Sequence, residues 1–376
     1  MHKTYRYRLY PTRKQKTTIK NTLESLRWVY NETLAIKKNT YKKENKTLTL
    51  FDTNKLLTQW KKEHPELRNI HSQVLQNSQL RVDLAYKAFF RRIKNGEKTG
   101  YPRFKGKNRY DSLTYTQTGF ELNNNNKTLK LSKIGNVNIK LHRPIEGKIK
   151  RLTISRNSLD KYFVSFIVEV DDKPTDVKTN AVVGIDLGLT TFATLSDNNK
   201  IDNPQFYKHE EKELAKAQQQ LSKQKKGSSI WYKKLRKVRH IHERITNKRD
   251  NFIHQESRKL INKYDVICFE NLNINNIKNN NFKSINKGVS DVAWGKFVNV
   301  TLYKAEEAGK KVILVNPSGT SQTCSKCGLI VKKPLGERVH KCSCGLVIDR
   351  DLNASINILR LGLESFSNQS IEAYML

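Results

Sequence analysis

The sequence is poor in cysteine and has no long apolar run. Only five of its 376 residues are cysteine, an odd number whose clustering favours a metal site over disulfides. No segment approaches the roughly 18 apolar residues of a membrane-spanning helix, and mean hydropathy is −0.71. The N-terminal segment lacks the apolar core of a signal peptide. We therefore expect a cytosolic protein with no membrane partner.

Acidic residues are scarce as well. The chain has 35 Asp and Glu against 71 Lys and Arg, giving a formal net charge of +36. A soluble protein with this charge repels itself unless a polyanion neutralises it. The cations recur along the whole chain, whereas a membrane-surface charge would favour one tail or one amphipathic face. The composition therefore predicts an extended nucleic-acid surface with salt-sensitive binding, for an enzyme and for a binding protein alike.

The N-terminal half has the pattern of a barrel with inserted helices. Residues 3–10 alternate Tyr and Arg as a strand does, and Pro11 ends the pattern. Apolar residues three and four apart predict helices over about residues 13 to 95. Residues 112–170 predict β-hairpins, with one turn at Asn123–Asn126. This order predicts a β-barrel with the helical region inserted after its first strand.

The C-terminal half alternates strand and helix patterns, which is typical of an α/β layer fold. It follows a polar linker at 171–180, and its strand patterns are AVVGIDLG, TFATLS, KYDVICFE and KKVILV. Residues 208–260 predict a two-helix hairpin with a basic outer face. We expect this hairpin to serve as a scaffold and as a surface along which nucleic acid binds. Further helices are predicted near 291–309 and from about 351.

Two of the predicted strands end in an acidic residue. Asp186 lies between Gly184 and Gly188, and Glu270 closes the next apolar strand before an Asn-rich loop at 271–276. A carboxylate at the end of a buried strand is unfavourable unless a cation or hydrogen bonds accept it; an ordinary turn Asp is the alternative for the first. Active sites of α/β sheets lie beyond the carboxyl ends of strands, so the two acids could converge. The glycines are predicted to let a phosphodiester approach the backbone.

A third acid, Asp351, lies in IDRDLNASINI near the start of the last predicted helix. Asp349 or Asp351 could instead be the N-cap of that helix. Three acids that converge through the fold repel one another and require metal. Mg²⁺ prefers carboxylate and phosphate oxygens, and two such ions can clamp the attacking and leaving oxygens of phosphodiester hydrolysis. The acids therefore predict a metal-dependent nuclease with two catalytic Mg²⁺ ions.

Four of the five cysteines form a cluster that predicts a zinc site. Its two pairs are each followed by a glycine, and its members are Cys324, Cys327, Cys342 and Cys344. Four thiolates leave no open position for water, so one structural zinc ion is expected. The second pair is C-x-C, and His340 is a substitute ligand if Cys342 cannot reach the metal. Cys268 stands alone in an apolar strand and is predicted to be an inert buried thiol.

Seven segments together resemble the TnpB family of transposon-encoded, RNA-guided DNA endonucleases, which are related to type V CRISPR effectors. They are YRYRLYPTRKQ, WVYNETL, GYPRFKGK, GIDLGLTTFATLS, FENLNI, TSQTCSKCG and CGLVIDRDLNASINI, in that order over nearly the whole chain. The resemblance implies a multidomain α+β chain with four parts: a wedge-like β-barrel (1–10 and 100–175), a helical recognition domain (11–99), an RNase H-like RuvC nuclease domain (180–320 and 346–376) and an inserted zinc ribbon (321–345).

The same resemblance implies how such a protein acts. It would hold a guide RNA from the transposon end and cleave double-stranded target DNA beside a short target-adjacent motif, in the prokaryotic cytosol and on the nucleoid. The RuvC acids would be Asp186, Glu270 and Asp351. Nucleic-acid contacts are expected at Arg6, Arg8, Tyr30, Arg103, Lys105, Lys107 and Arg338, the last near the scissile phosphate.

Three alternatives use the same features. One is an RNA-guided DNA-binding repressor that does not cleave, which the intact set of acids disfavours. Another is a transposase, because RNase H-like folds also join DNA strands. The third is a nuclease that works without a guide.

Overall fold

The computed structural model divides the chain into two compact units, Met1–Asp171 and Asp172–Leu376. The structure describes residues 1–123, 125, 127–171, 178–273, 283–334 and 336–374. Three predicted segments lie partly outside the described residues: the turn at Asn123–Asn126, the linker at 171–180 and the Asn-rich loop at 271–276. None of the helices in the described ranges is long and apolar enough to cross a membrane.

The first unit is built on a seven-stranded antiparallel sheet in the order β2-β6-β7-β1-β5-β4-β3. Its strands are β1 (His2–Tyr10), β2 (Ser112–Tyr115), β3 (Phe120–Asn123), β4 (Thr128–Leu131), β5 (Gly135–Lys140), β6 (Lys148–Arg156) and β7 (Tyr162–Glu169). The edge strands β2 and β3 are joined by residues 116–119 alone. Because a chain spans at most about 3.5 Å per residue, the two edges lie close together and the sheet is nearly closed.

Period-two alternation explains which side of this sheet is buried. In β1 the buried residues are Tyr5, Tyr7 and Leu9, and in β7 they are Tyr162, Val164, Phe166 and Val168. The strand predictions for residues 3–10 and 112–170 are confirmed. β1 lies between β5 and β7, pairing antiparallel with both, although more than 100 residues separate it from either in sequence.

Three helices follow β1 in the chain and share one apolar core with the sheet. They are α1 (Arg13–Glu44), α2 (Leu50–Glu63) and α3 (Ser72–Lys94), with a 3-10 turn at Pro65–Asn69. Thr12 and Gln15 form a capping box at the start of α1, and Thr49 and Asp52 form one at the start of α2. The helices predicted over residues 13 to 95 are confirmed.

The second unit contains a five-stranded sheet in the order β10-β9-β8-β11-β12. Its strands are β8 (Val182–Leu187), β9 (Thr191–Leu195), β10 (Lys200–Asp202), β11 (Val266–Glu270) and β12 (Lys311–Val315). Strands β8, β11 and β12 are parallel, and β9 runs antiparallel to both of its neighbours, β8 and β10. The sequence predicted four of these strands and missed the three-residue β10. Phe269 pairs with Ile185, so β8 and β11 end side by side.

The helices among the described residues of this unit are α4 (Phe206–Ser222), α5 (Ser229–Lys263), α6 (Lys283–Val292), α7 (Trp294–Ala308) and α8 (Arg350–Tyr374). The predicted hairpin is confirmed, since α4 and α5 share a core of Leu214, Ala217, Val238, Ile241 and Ile245. The helix predicted near 291–309 is α7, which begins after Ala293 in the left-handed region (φ 53°). Between β12 and α8 lies a small hairpin of β13 (Val339–Lys341) and β14 (Val347–Asp349).

Candidate active site and cysteine cluster

Asp186 and Glu270 lie at the carboxyl ends of the neighbouring parallel strands β8 and β11. Burial raises the pKa of Asp186 to about 8, and the negative charges of Glu270 and Asp351 contribute to the same rise. Burial also raises the pKa of Glu270, an effect that a hydrogen bond from Thr320 partly offsets. The structure therefore places Glu270 and Asp351 close enough to Asp186 for their charges to raise its pKa.

The first turn of α8 separates the roles of Asp349 and Asp351. Oδ1 of Asp349 accepts the backbone N–H groups of Asp351 (2.8 Å) and Leu352 (3.1 Å), so Asp349 is the N-cap. Burial raises the pKa of Asp349, but Lys200 and these two N–H groups outweigh it and hold the pKa below its ordinary value. Asp351 is left to face the other acids, and its carboxylate lies 3.3 Å from Arg350 and 3.7 Å from Arg338.

The glycines beside Asp186 serve packing, and the prediction that they admit a phosphodiester is wrong. A Cβ on Gly184 would lie 2.1 Å from the carbonyl oxygen of Ser355 in α8, and one on Gly188 would lie 2.7 Å from that of Thr191. A Cβ on Gly362 would similarly meet Sγ of Cys268 at 2.2 Å. Helix α8 thus occupies the space beside Gly184. This close packing fixes α8, and with it Asp351, against the strand that carries Asp186.

Cys268 is buried in β11 beneath α8. Burial raises the pKa of its thiol to about 11. A thiol that is protonated and inaccessible is a poor nucleophile and metal ligand, which agrees with the prediction of an inert cysteine.

Three buried polar residues that the sequence reasoning missed surround Glu270 and the chain leading to the cysteines. The hydroxyl of Thr320 donates to Oε1 of Glu270 at 2.5 Å. Asn357 donates to the carbonyl oxygens of Thr320 (2.9 Å) and Thr323 (2.7 Å). Asn353 donates to Thr323 (2.8 Å) and accepts from the backbone of Ser325 (2.9 Å). The available signal was the spacing of four between the two asparagines, which places both on one face of a helix.

The four cysteines form one compact group, with all ligand atoms within 4.8 Å of one another. The sulfurs of Cys324 and Cys344 are 3.7 Å apart, and those of Cys327 and Cys342 are 3.5 Å apart. Tetrahedral zinc with Zn–S bonds of about 2.3 Å requires roughly 3.8 Å between sulfurs. The donor set therefore fits a single zinc ion, and the C-x-C pair reaches it as well as the C-x-x-C pair does.

The glycine after each cysteine pair closes a tight turn. Gly328 (φ 80°) donates its N–H to the carbonyl oxygen of Cys324, and Gly345 (φ 84°) donates to that of Cys342. These left-handed conformations suit glycine because it has no Cβ. His340 is buried with Nδ1 beside the amine of Lys333. The four sulfurs complete the group without it.

Within the described part of the chain, the cysteine cluster is the one group of three or more such ligands gathered this tightly. The carboxylates of Asp186, Glu270 and Asp351 do not form a group of that kind. Asp351 is paired instead with Arg338 and Arg350.

The expected nucleic-acid contacts of the first unit occupy two kinds of environment. Arg6 and Arg8 place their guanidinium groups 4.2 and 4.9 Å from the ring of Phe163. The side chains of Arg103, Lys105 and Lys107 are exposed. Tyr30 belongs to the core, since it is 5% exposed and packs against Tyr110. A contact between Tyr30 and nucleic acid would therefore require the core to open.

Three family models match successive parts of the chain. One described as "Probable transposase" matches residues 165–281, one described as "Cas12f1-like, TNB domain" matches 294–358, and one described as "Helix-turn-helix domain" matches 1–46. Residues 1–46 here contain strand β1 and the single helix α1. The second match includes all four cysteines.

Relatives match over most of the sequence. The chain is 33% identical over 370 residues to the "Putative RNA-guided DNA endonuclease" of Streptomyces pristinaespiralis, covering 96% of this chain and 89% of that protein. It is 29% identical over 375 residues to the "Putative RNA-guided DNA endonuclease InsQ" of Escherichia coli K12, covering 95% and 92%. It is 30% identical over 241 residues to "TnpB-like protein L79" of Acanthamoeba polyphaga mimivirus, covering 60% and 46%. The first of these matches covers nearly the full length of both proteins, and the chain also has the motifs and the cysteine cluster described above. The chain therefore belongs to the TnpB family.

Proposed function

We propose that this chain is an RNA-guided DNA endonuclease whose cleavage site is formed by Asp186, Glu270 and Asp351. The observation that carries the proposal is that Asp186 is buried beside two other acids, so that burial, together with the charges of Glu270 and Asp351, raises its pKa to about 8. Acids that share a site are stable as carboxylates only when a cation balances them. Relatives named as RNA-guided DNA endonucleases supply the reaction and the two nucleic-acid partners.

The donor set suits Mg²⁺, because carboxylate oxygens are its preferred protein ligands. Asp186, Glu270 and Asp351 would hold two ions, which when bound supply Lewis-acid stabilisation of phosphate charge and a more acidic water. Thr320 holds one oxygen of Glu270, and Arg350 restrains Asp351. Arg338, with its side chain 58% exposed beside Asp351, is the cation available to a scissile phosphate.

The remaining assignments follow the family pattern. Residues 180–320 and 346–376 would be the RuvC-like nuclease domain, with a zinc ribbon at 321–345 that holds one structural zinc ion. Residues 1–10 and 100–175 would be the wedge barrel and 11–99 the recognition domain. Arg6 and Arg8, whose guanidinium groups lie over the ring of Phe163, are candidates for phosphate contacts on that barrel.

The test uses the protein purified with the RNA transcribed beside its gene. We expect this complex to cleave a matched DNA duplex in Mg²⁺. Asp186→Asn should abolish cleavage and keep target binding, because amide replaces carboxylate without changing the shape. Asp202→Asn, an exposed acid at the end of β10 in the same sheet, is the matched control and should cleave as the wild type does.

Other outcomes identify the alternatives. Target binding without cleavage by the wild type in Mg²⁺ would leave a guided repressor. Joined DNA products would favour a transposase, the activity named by the family model over residues 165–281. Cleavage by protein free of RNA would mean a nuclease that needs no guide.

A further inference from the structure

Glu270 is held by a neighbour that belongs to neither strand of the acid pair. Thr320 lies five residues beyond the end of β12, is 4% exposed, and donates its single hydroxyl hydrogen to Oε1 of Glu270 at 2.5 Å. The same hydroxyl lies 3.3 Å from the carbonyl oxygen of Pro317. The carboxylate is the stronger acceptor and the nearer one, so the hydrogen bond to Glu270 dominates.

Helix α8 in turn holds Thr320 through two buried amides. Asn353 and Asn357 are 0% and 1% exposed, and their side chains bind the backbone of residues 320–325 at four points. Oδ1 of Asn357 is buried without a hydrogen-bond partner among the described residues. An unsatisfied buried acceptor lowers stability. Asn357 therefore holds residues 320–325 in place at some cost to the stability of the fold.

The same helix carries Asp351 in its first turn and packs against Gly184, two residues before Asp186. The segment that α8 binds contains Cys324, the first of the four clustered cysteines. One rigid element thus contacts the supports of all three acids. A glutamate has three rotatable side-chain bonds, so an unsupported Glu270 would sample orientations that turn its carboxylate away from the other acids.

We propose that Thr320 is a positioning residue for Glu270, and that Asn353 and Asn357 keep it in register by binding the backbone of residues 320–325. The proposal rests on the proposed function, in which Glu270 is a metal ligand. By holding Oε1, Thr320 would fix the orientation in which the Glu270 carboxylate could bind the cation. Partners of this kind change metal affinity by about 10- to 100-fold when they are lost.

The experiment measures Mn²⁺ binding to the full-length, zinc-loaded protein by calorimetry, without any cleavage assay. Thr320→Val, which keeps the shape and removes the hydroxyl, should weaken Mn²⁺ binding at least about tenfold. Thr320→Ser keeps the hydroxyl and should stay within about twofold of the wild type. Thr320→Ala serves in place of the valine variant if that variant melts early. Equal affinities for the valine, alanine and wild-type proteins would overturn the proposal, and so would equal losses in the serine and valine variants.

Two further variants test the link and separate the two proposals. Asn357→Leu should also weaken Mn²⁺ binding, and the double variant with Thr320→Val should bind no more weakly than Thr320→Val alone, because both act through one hydrogen bond. Additive losses would overturn the link through Asn357.

Glu270→Gln should lose most of the affinity for Mn²⁺. If it binds Mn²⁺ as the wild type does, Glu270 is not a ligand and both proposals fail; if it loses affinity while Thr320→Val does not, only the positioning proposal fails.

Discussion

Binding of a divalent cation to this protein should release a proton from Asp186. The pKa of Asp186 in the metal-free protein is about 8, raised by burial and by the charges of Glu270 and Asp351. At pH 7 only about one in ten Asp186 side chains is ionised, so binding should release about 0.9 proton from this group. Below pH 8 the affinity should rise about tenfold per pH unit, and above pH 9 it should level off.

The release can be measured by titrating Mn²⁺ in buffers of different ionisation enthalpy, since the slope of observed heat against that enthalpy counts protons. Burial also raises the pKa of Glu270, so any release from that group adds to the count. Asp202→Asn is the control and should release as many protons as the wild type. Release below about 0.3 proton at pH 7, together with an affinity that does not change between pH 6 and 8, would refute the electrostatic reasoning.

The same pKa has a consequence for stability without metal. The folded pKa of about 8 lies above the unfolded value of 3.8, so the folded state binds the proton more tightly. The contribution of Asp186 to stability is therefore fully present below 3.8 and is lost as pH rises through 8. Asp186→Asn should remove this dependence and raise the melting temperature of the metal-free protein at pH 8.5.

Three further predictions concern the scaffold. Gly184→Ala would place a Cβ 2.1 Å from a backbone oxygen of α8, so it should destabilise the protein by about 3 kcal/mol or more in denaturant titrations; Gly336→Ala, with nothing within 4 Å, should change stability by less than about 0.5 kcal/mol. Cys324→Ser should lose the single zinc measured by metal analysis, and it should also weaken Mn²⁺ binding because residues 320–325 lose one anchor. Burial lowers the pKa of Lys304 to about 8 from 10.5, so its contribution makes stability rise with pH between those values. In Lys304→Met the melting temperature should therefore depend less on pH over that range. An unchanged dependence of melting temperature on pH would contradict this.

The elements that carry the acids were predictable from local pattern. The apolar strands that end at Asp186 and Glu270 can be recognised from the local sequence alone. Because parallel strands of one sheet end at the same edge, the two acids were also expected to lie near each other. The cysteine cluster was predictable for a similar reason, since ligand spacing and the following glycines are local features. Two candidates for the N-cap of α8 remained open, because Asp349 and Asp351 are both acceptable caps and the register of the helix decides between them.

Contacts between distant segments could not be read from local pattern. Gly184 looked like a gap left for a substrate, whereas the space is filled by Ser355 and Leu359, more than 150 residues later in sequence. Tyr30 looked like a contact for nucleic acid, and its ring lies in the core against Tyr110. Thr320 and Asn357 carry no motif by themselves. Each acquires its role only when helix α8 packs on the sheet, which is a property of the tertiary fold.

Helix α8 explains how acids from three separate elements can be aligned. As the proposed metal ligands they would have to be held to within about 0.5 Å, which helices and strands do more precisely than loops. Here Asp351 belongs to the helix, Asp186 lies two residues beyond the close contact at Gly184, and Glu270 is reached through Thr320. Helix α8 therefore carries one of the three acids and contacts the segments that support the other two. Because Cys324 lies in the segment that α8 binds, the cysteine cluster is positioned to stabilise this alignment without providing a ligand to the reaction.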